Sequence, residues 1–373
     1  MKKIIFITGT RADYGKIKSI ILKLQSTTKF KVFLYITGMH NLKMYGSTYH
    51  EIIKDKIKNI KRLNNQKPFD PMDKIFSKTT LQFSTYIKNI KPDMIFVHGD
   101  RVEALACAIV GLLNNIKIGH IEGGELSGTV DEMIRHSISK ISNFHFVTNK
   151  IAKKRLLQMG EKNSSIFIIG SPDVDIILKK NLPDISKARK RYGVKFLNYS
   201  IGILHPVTTD LKNLKKNSTI FVNSIIKSKK NYILLFPNND SGHSIILNAY
   251  NKLKSNPKIK IFNSIRFEYF LTFLKNADFI IGNSSSGIVE APYYGTPCFN
   301  LGNRQENRAS LESVINSPFL EKNILKIIKK YELKRFHKIS HFGSGNSDKK
   351  FINILFKEKT IWDEINQKYF KEI

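Results

Sequence analysis

The sequence predicts an α/β protein made of two doubly wound parallel sheets covered by helices. Two observations carry this prediction: apolar runs of strand length alternate with helical patterns from end to end, and a polar, lysine-rich stretch divides them into two series. Alternating strands and helices form βαβ units, whose strands are buried on both faces and therefore read as continuous apolar runs. A chain of 373 residues is too long for one ordinary core and fits two domains.

Six strands are predicted in the N-terminal half and five in the C-terminal half. In chain order, the first series is KKIIFITG, KVFLYITG, DMIFVHGD, IKIGHIEGG, FHFVTN and SIFIIGSP. The second series is SIGILHPVT, YILLFPNND, IKIFNS, DFIIGNSS and TPCFNLG, and the stretch KKNLPDISKARKRYG separates the two. The predicted boundaries are 1–178 for an N-terminal Rossmann-like domain and 195–356 for a C-terminal one. Ligands of such sheets bind beyond the carboxyl ends of the strands, and the two sets of strand ends are expected to face one cleft.

Composition limits the class of protein. The hydrophobic fraction of 41% and the charged fraction of 25% are typical of a soluble globular protein, and no apolar run is long enough for a membrane helix. The N-terminal apolar stretch of about five residues is too short for a signal peptide and is interpreted as the first strand. Cys107 and Cys298 lie far apart without metal-ligand spacing, which favours a reducing cytoplasm.

The net charge of +32 raises the question of nucleic-acid binding, because clustered lysine and arginine neutralise phosphates. The lysines are instead scattered among isoleucine and asparagine, as in NILKIIKKYELKRFHKIS, and no basic block interleaved with aromatics stands out. We therefore expect no nucleic-acid partner and a lysine-rich solvated surface, which can attract anionic small molecules.

One candidate anion site follows the first strand, where TGTRADYG opens a helix. Its glycines allow a tight turn, and backbone N–H groups with Arg11 can face a ligand. Gly9 and Gly15 are too far apart for a dinucleotide fingerprint, and there is no Walker lysine. Alternatively, Arg11 pairs with a neighbouring carboxylate.

A second candidate lies in IIGNSSSGIVEAPYYGTP, where a strand is followed by serines and a helix that starts near Ser286. Ser284 and Ser285 with this turn can hold a diphosphate, and the alternative is an ordinary serine cap. Glu290, one turn further on, can accept hydrogen bonds from two vicinal hydroxyls such as those of a ribose. It can equally be a solvated helix glutamate.

Three carboxylates are predicted to meet at one edge of the first sheet. Asp100 ends the strand MIFVHGD, Glu122 ends IGHIEGG, and Asp131 lies before or at the start of the helix that carries Arg135. Mutual repulsion and burial separate the pKa values of such groups, so that they can divide acid and base duties. Each can instead be a helix cap or an arginine partner, Asp131 most easily. Glu125 is interpreted as a rim residue.

Histidines offer one further candidate. His205 in ILHPVTTD ends the first strand of the second half, where it can donate to a phosphate or shuttle a proton. His98 and His120 are interpreted as packed strand histidines. No pair of histidines with a carboxylate predicts a zinc site, and no G-x-S-x-G elbow predicts a hydrolase serine.

These motifs occur in an order that resembles a known family. They are GTRADYGKIKSII, TGMH, HGDRVEALACAIVGLLNNIKIGHIEGGELSGTVDEMIRHSISKIS, GSPDVD, HPVTT, PNND, GNSSSGIVEAPYYGTPCFNLGNRQENR and FGSGN. Together they resemble the hydrolysing UDP-N-acetylglucosamine 2-epimerases over nearly the full length. The resemblance implies the GT-B-like arrangement of two Rossmann-like domains, with the nucleotide on the C-terminal domain and the sugar on the N-terminal one. It also implies a final helix, over 357–373, that returns to the N-terminal domain.

The resemblance implies an enzyme that converts UDP-N-acetylglucosamine and water to N-acetylmannosamine and UDP through a 2-acetamidoglucal, for sialic-acid-type biosynthesis. It implies no cofactor and no metal, and a homodimer or homotetramer. The acid/base set carried over by motif is Asp100, Glu122 and Asp131, with Glu122 as the base at C2 and the other two in glycal hydration and reprotonation. His205 joins this catalytic group and the nucleotide contacts. The remaining binding residues implied by the resemblance are Arg11, Arg101, Asn238, Ser284, Ser285, Glu290, Arg304 and, on the sugar side, His40.

Two motifs narrow the subgroup. Non-hydrolysing relatives resemble GTRPE and VHRREN where this chain has GTRADYG and LHPVTTD, so the hydrolysing branch is favoured. The same chemistry on a UDP- or GDP-linked 2,4-diacetamido-2,4,6-trideoxy sugar, for legionaminic acid, is an alternative, because a few pocket residues decide which sugar fits. An alternative of another class is a GT-B glycosyltransferase.

Overall fold

The chain forms two compact units. The computed structural model describes residues 1–179, 181–363 and 367–369. The first unit comprises Met1–Glu125, Asp131–Leu178 and the chain from His341 onward, and the second comprises Leu126–Val130 and Lys179–Ser340. Each unit contains one parallel sheet with helices, so the predicted fold class of two Rossmann-like α/β domains is confirmed.

The division after Leu178 coincides with the end of the predicted first domain. At the other end, the chain joins the first unit from His341, so segment 341–356 groups with the first unit rather than with the second as predicted. The predicted final helix over 357–373 is only partly described, since residues 364–366 and 370–373 lie outside the described part of the chain.

The sheet of the first unit has seven described strands in the order β3-β2-β1-β4-β5-β6-β7, all parallel. They are Lys2–Thr8 (β1), Phe30–Ile36 (β2), Ile60–Arg62 (β3), Met94–His98 (β4), Lys117–Ile121 (β5), Phe144–Val147 (β6) and Ile166–Ile168 (β7). The strand order reverses between β1 and β4, which is where ligands of doubly wound sheets bind.

The sheet of the second unit has six described strands in the order β10-β9-β8-β11-β12-β13, again all parallel. They are Ser200–Ile203 (β8), Tyr232–Leu235 (β9), Ile259–Phe262 (β10), Ile280–Gly282 (β11), Cys298–Leu301 (β12) and Val314–Ser317 (β13). Here the order reverses between β8 and β11.

Helices connect the strands. The described α-helices are Arg11–Gln25 (α1), Tyr49–Lys54 (α2), Met72–Ile90 (α3), Val102–Leu113 (α4), Val130–Ile141 (α5), Lys150–Gln158 (α6), Pro172–Ile177 (α7), Ile185–Tyr192 (α8), Leu211–Lys227 (α9), His243–Tyr250 (α10), Phe267–Asn276 (α11), Ser286–Val289 (α12), Glu321–Tyr331 (α13), Ser347–Lys357 (α14) and Thr360–Asp363 (α15). Short 3-10 helices span Gly38–Asn41, Lys43–Tyr45, Asn163–Ser165, Asn251–Leu253 and Ala291–Tyr294. Among these described helices, none combines the length and the apolar character that a bilayer crossing requires.

Local sequence explains how the site-bearing helix α1 starts. Thr10 caps its N-terminus by accepting from the backbone N–H of Asp13, whose side chain reciprocally accepts from the backbone N–H of Thr10. Such a capping box satisfies two of the N–H groups that a helix start leaves unpaired. The turn after β1 is thereby fixed, and Arg11 is placed at the carboxyl edge of the sheet.

Helix α14 completes the first unit. Its N-terminus is held by Asp175, whose carboxylate accepts from the backbone N–H groups of Ser347 and Asp348 at 2.8 and 2.9 Å. Its buried Phe351 contacts the aromatic core of the sheet, at ring-centroid distances of 5.1 Å from Phe96 and 4.5 Å from Phe146. These contacts explain why the chain from His341 onward groups with the first unit.

Candidate active site

The three carboxylates predicted from strand ends share one cation. Asp100 follows β4, Glu122 follows β5, and Asp131 lies in the first turn of α5. The buried Arg135, on the next turn of α5, forms an ion pair with Asp100 and donates to the backbone carbonyl of Glu125 at 3.2 Å. All three predicted carboxylates interact favourably with its positive charge. The fold therefore brings the predicted acid/base set together.

Glu122 has the most constrained position of the three. Its φ of +64° is unusual for a residue other than glycine, and its side chain is buried. One carboxylate oxygen accepts from the Ser171 hydroxyl at 2.6 Å, and the other lies 3.4 Å from Lys16 Nζ and 3.3 Å from His98 Nε2. Burial opposes ionisation, but Lys16, His98 and the hydroxyl hold the pKa of Glu122 well below its usual value. Backbone outliers of this kind concentrate at functional sites.

Lys16 links Glu122 to a second buried carboxylate. Its ammonium lies 2.8 Å from Asp173, which is fully buried at the start of α7. Sequence reasoning missed Lys16, Ser171 and Asp173 as site residues. The signals were present, because Lys16 is on the same helix as Arg11, and GSPDVD carries Ser171 and Asp173 directly after β7.

The interpretation of Glu125 as a rim residue was wrong. Its side chain is buried and accepts a hydrogen bond from the Thr148 hydroxyl. The loop after β5 runs inward against the end of β6 and α5, whose Thr148 and Arg135 satisfy its polar groups. His120 is the packed strand histidine that the sequence predicts, with ring nitrogens 3.0 Å from Ser139 Oγ and 2.8 Å from the Gly99 carbonyl.

Two predicted phosphate-binding arginines of the first unit have carboxylate partners. Arg11 forms a 2.7 Å ion pair with Glu51, which is the alternative considered for it, and Arg101 Nε lies 3.4 Å from the buried Glu103. Their nucleotide contacts stay a prediction.

His40, the predicted sugar-side candidate, is fully buried. Its Nε2 lies 2.9 Å from Thr8 Oγ1 and its Nδ1 lies 2.6 Å from Thr48 Oγ1. Burial, aided by the nearby positive charge of Arg11, lowers the pKa of His40 to about 3. Both ring nitrogens are thus engaged by hydroxyls, and a contact between His40 and the sugar stays a prediction.

In the second unit, Asn283 organises the carboxyl edge around the point where strand order reverses. This buried residue follows β11; its side chain accepts from the His205 backbone N–H at 2.7 Å and donates to the His205 carbonyl at 2.9 Å. Its own carbonyl accepts from Arg304 and Gln305, both at 3.3 Å. Asn283 and Gln305 were missed by sequence reasoning, although both lie within the motifs GNSSSG and NRQENR.

The tautomer of His205 follows from its neighbour. The backbone N–H of Asn238 donates to His205 Nδ1 at 3.0 Å, so in the neutral ring the proton is on Nε2. The structure therefore brings together three predicted residues, His205, Asn238 and Arg304, through one hydrogen-bonded network at this edge. A donor on Nε2 suits an anionic ligand.

The serine turn and Glu290 lie at the same edge. Ser284 Oγ accepts from the Ser286 backbone N–H at 3.3 Å, and Ser285 precedes the single turn of α12. Glu290 follows α12 and is buried, so the alternative of a solvated helix glutamate is wrong. Within the described residues, no group of three histidine, cysteine or acidic side chains is arranged to hold a metal ion.

A family model described as UDP-N-acetylglucosamine 2-epimerase matches residues 22–356. The chain is 42% identical to a UDP-N-acetylglucosamine 2-epimerase of Neisseria meningitidis serogroup B, with 100% of both chains covered. It is 33% identical to a UDP-N,N'-diacetylbacillosamine 2-epimerase (hydrolyzing) of Legionella pneumophila, covering 95% of this chain and 96% of the other.

A solved structure is similar to the whole fold. The UDP-GlcNAc 2-epimerase of Methanocaldococcus jannaschii, in complex with UDP-GlcNAc and UDP, superposes with a TM-score of 0.83 at 26% identity. The superposition covers 95% of this chain and 99% of that one.

Proposed function

We propose that this chain, which belongs to the UDP-N-acetylglucosamine 2-epimerase family, is an epimerase of the hydrolysing type. It would convert UDP-N-acetylglucosamine and water to N-acetylmannosamine and UDP, in support of sialic-acid-type biosynthesis. The observation that carries the proposal is the buried Glu122, held between Lys16 and the Ser171 hydroxyl in the same unit as the Asp100–Arg135 ion pair. Similarity to a relative named as hydrolysing supports the choice of branch.

The first chemical step is an elimination. The C2 proton of the sugar has no adjacent carbonyl and is barely acidic, so the C1–oxygen bond to the diphosphate must break ahead of proton removal. Positive charge then builds on the ring, and Glu122 accepts the C2 proton while UDP departs, leaving a 2-acetamidoglucal. A carboxylate with a low pKa suits this order, because it stabilises positive charge before it takes the proton.

The second step is hydration of the glycal. Water adds at C1, with its proton taken by a carboxylate, and a carboxyl group returns a proton to C2 on the face opposite the one from which Glu122 removed it. We assign these two roles to Asp100 and Asp131, whose shared proximity to Arg135 places them in one electrostatic environment. Removal of the C2 proton from one face and return of a proton to the other invert C2 and give N-acetylmannosamine.

The second unit would hold the nucleotide. His205, through Nε2–H, and Arg304 are its candidate donors to the diphosphate, with the hydroxyls of Ser284 and Ser285. Asn238 orients His205, and Glu290 would accept from the ribose hydroxyls. In the first unit, Arg11 and Arg101 are proposed to stabilise the departing diphosphate.

The substrate alternative is a 2,4-diacetamido-2,4,6-trideoxy sugar linked to UDP or GDP. The 33% identity to the Legionella pneumophila epimerase named for UDP-N,N'-diacetylbacillosamine supports this alternative. The chemistry at C1 and C2 would be unchanged, since the two sugars differ at C4 and C6. A glycosyltransferase of the same fold ranks below both, because transfer at C1 would leave the acidic set without a task.

The test is turnover of UDP-N-acetylglucosamine in D2O, followed by NMR. We expect free N-acetylmannosamine with deuterium at C2, together with UDP. Asp100→Asn and Asp131→Asn should each lower kcat by about 100-fold or more while the Kd for UDP changes little. Asp73→Asn, at an exposed carboxylate on α3, is the matched control and should keep wild-type turnover.

Three other outcomes of this experiment would each change the proposed function. Intact UDP-N-acetylmannosamine as the product would rule out the hydrolysing type. Activity confined to the nucleotide-linked trideoxy sugar would change the assigned substrate but not the assigned reaction. Sugar transfer to an acceptor without deuterium at C2 would indicate the glycosyltransferase.

A further inference from the structure

Arg135 is a buried cation to which the reaction described above gives no step of its own. It lies on the second turn of α5 and is among the largest fully buried side chains, with 2% of its surface exposed. Burying a guanidinium is costly unless carboxylates and hydrogen-bond acceptors surround it. The surroundings of Arg135 are therefore informative about its role.

Two described contacts fix its orientation. One terminal nitrogen pairs with the Asp100 carboxylate, and the other donates to the Glu125 carbonyl at 3.2 Å. A planar guanidinium held at both terminal nitrogens cannot rotate, so Asp100 is held in turn. A lysine at this position would supply the charge without the second fixed contact.

Four carboxylates, from the loops after β4 and β5 and from helix α5 itself, interact with the charge of Arg135. Burial opposes its charged form, but Asp100, Glu125, Glu122 and Asp131 together raise the pKa of the guanidinium. His120 also lies within range of its charge. The attraction between two opposite charges favours the charged form of both partners. The guanidinium of Arg135 therefore favours the ionised form of each carboxylate.

Of the four carboxylates, Asp100 has a described ion pair with Arg135. Glu122 pairs with Lys16, and Glu125 accepts from Thr148. Asp131 is one helical turn before Arg135 on α5, at the spacing where opposite charges stabilise each other.

We propose that Arg135 is a positioning residue for the acid/base set, which fixes the Asp100 carboxylate in one orientation and keeps it anionic, so that Asp100 is the member of the pair that takes the proton of the attacking water. This inference rests on the proposed function. The charge of Arg135 sets the proton affinity of Asp100, and its two-point contact sets where that carboxylate lies.

Two variants separate these effects. Arg135→Gln removes the charge, so we expect kcat to fall by about 100-fold and the acid limb of the pH–rate profile to move up by about one pH unit, with KM nearly unchanged. Arg135→Lys keeps the charge but loses the two-point contact of the guanidinium. We therefore expect kcat to fall by about 10-fold while the acid limb of the pH–rate profile stays at its wild-type position. Arg191→Gln, at an exposed arginine on α8, should match the wild type in both readouts.

A second measurement does not depend on substrate. Carboxyl NMR of protein labelled with 13C at aspartate, with the Asp100 signal assigned from Asp100→Asn, reports the Asp100 pKa directly. It should rise in Arg135→Gln and stay close to the wild-type value in Arg135→Lys. If the wild type releases no N-acetylmannosamine, the proposed function fails, whereas this titration still decides the inference.

Two results would overturn the positioning role of Arg135. An Arg135→Gln protein with wild-type kcat, acid limb and Asp100 titration would refute the positioning role. If Arg135→Gln does not fold, Arg135→Lys decides, and wild-type kcat in that variant would equally overturn the inference.

Discussion

Glu122 carries its charge in a nearly closed environment, which makes its cation partner important for the fold as well as for chemistry. The Lys16 ammonium bridges Glu122 and Asp173, at 3.4 and 2.8 Å, and both carboxylates are buried. Because the pKa of Glu122 is held below its usual value of 4.5, this interaction stabilises the folded state above that pH. The stabilisation is lost as the pH falls through the lowered pKa of the folded protein.

Lys16→Met should therefore destabilise the protein strongly at neutral pH. It leaves two buried carboxylates without their shared cation, a change that typically costs about 3–5 kcal/mol. Lys23→Met is the control on the same helix, because Lys23 is 43% exposed in its single described pair with Asp348, so that its loss should cost less than that of Lys16. Urea unfolding at pH 7 measures both, and equal midpoints for the two variants would contradict a structural role for Lys16.

Sequence reasoning at the residue scale found the acids and missed the cations that hold them. Asp100 and Glu122 follow buried strands, where the rule for parallel sheets places functional groups. Lys16 and Arg135 lie inside helices, and in a chain with 62 lysine and arginine residues such positions are indistinguishable from a solvated helix face. Only the packing of α1, α5 and α7 shows which of these cations are buried.

Eleven of the thirteen described strands were predicted from apolar runs, and the two that were missed are both at sheet edges. Strand β3, with the sequence IKR, has three residues and is mostly exposed, and β13, with the sequence VINS, is half polar. An edge strand is paired and covered on one side only, so it needs no continuous apolar run. The pattern that reveals central strands is therefore absent from these two.

The end of β11 carries the tightest backbone constraint near the second site. Gly282 has a φ of +133°, and a Cβ at this position would lie 1.9 Å from the carbonyl oxygen of Ile203 in the neighbouring strand β8. This conformation is essentially restricted to glycine. The following residue is Asn283, so the close approach of the two strand ends sets the position of the whole hydrogen-bonded network.

Gly282→Ala should cost more than about 3 kcal/mol and abolish UDP binding, because backbone strain and a backbone clash add at one position. Gly193→Ala is the matched control: its φ of +60° is also left-handed, but no described atom lies within 4 Å of the added Cβ. That variant should lose only about 1–2 kcal/mol and keep UDP binding. Calorimetric titration with UDP and thermal unfolding give both quantities, and wild-type UDP affinity in Gly282→Ala would show that the strand ends tolerate separation.

At the scale of the whole molecule, the sequence predicts the topology of the two sheets. It does not predict that a short segment of the N-terminal half groups with the second unit. The alternation of strands and helices predicts two doubly wound sheets, and both have their ligand-type residues where strand order reverses. Nothing in the sequence indicates that Leu126–Val130 groups with the second unit, where the Gly128 N–H donates to the Arg304 carbonyl at 2.8 Å. That pairing joins segments 176 positions apart, and local pattern carries no information about it.

The acid sensitivity of the molecule as a whole follows from histidines that are buried in the first unit. Burial lowers the pKa of both His40 and His120 from 6.5 to about 3. In the unfolded chain these rings take up protons as the pH drops below about 6.5, while in the folded protein they stay neutral. The unfolded state then binds more protons, so the free energy of unfolding falls as the pH is lowered between these values.

We expect the stability to decrease by roughly 1.4 kcal/mol per pH unit for each of the two histidines once the pH is well below 6.5. His120→Asn keeps an amide donor near the Gly99 carbonyl and removes one buried titrating ring, so its stability should depend less steeply on pH, by about one proton. His337→Asn, at an exposed histidine, should follow the wild-type slope. Urea unfolding from pH 7.5 to 5.0 measures the three slopes, and a His120→Asn slope equal to that of the wild type would mean that this ring does not enter the folded state as a neutral group.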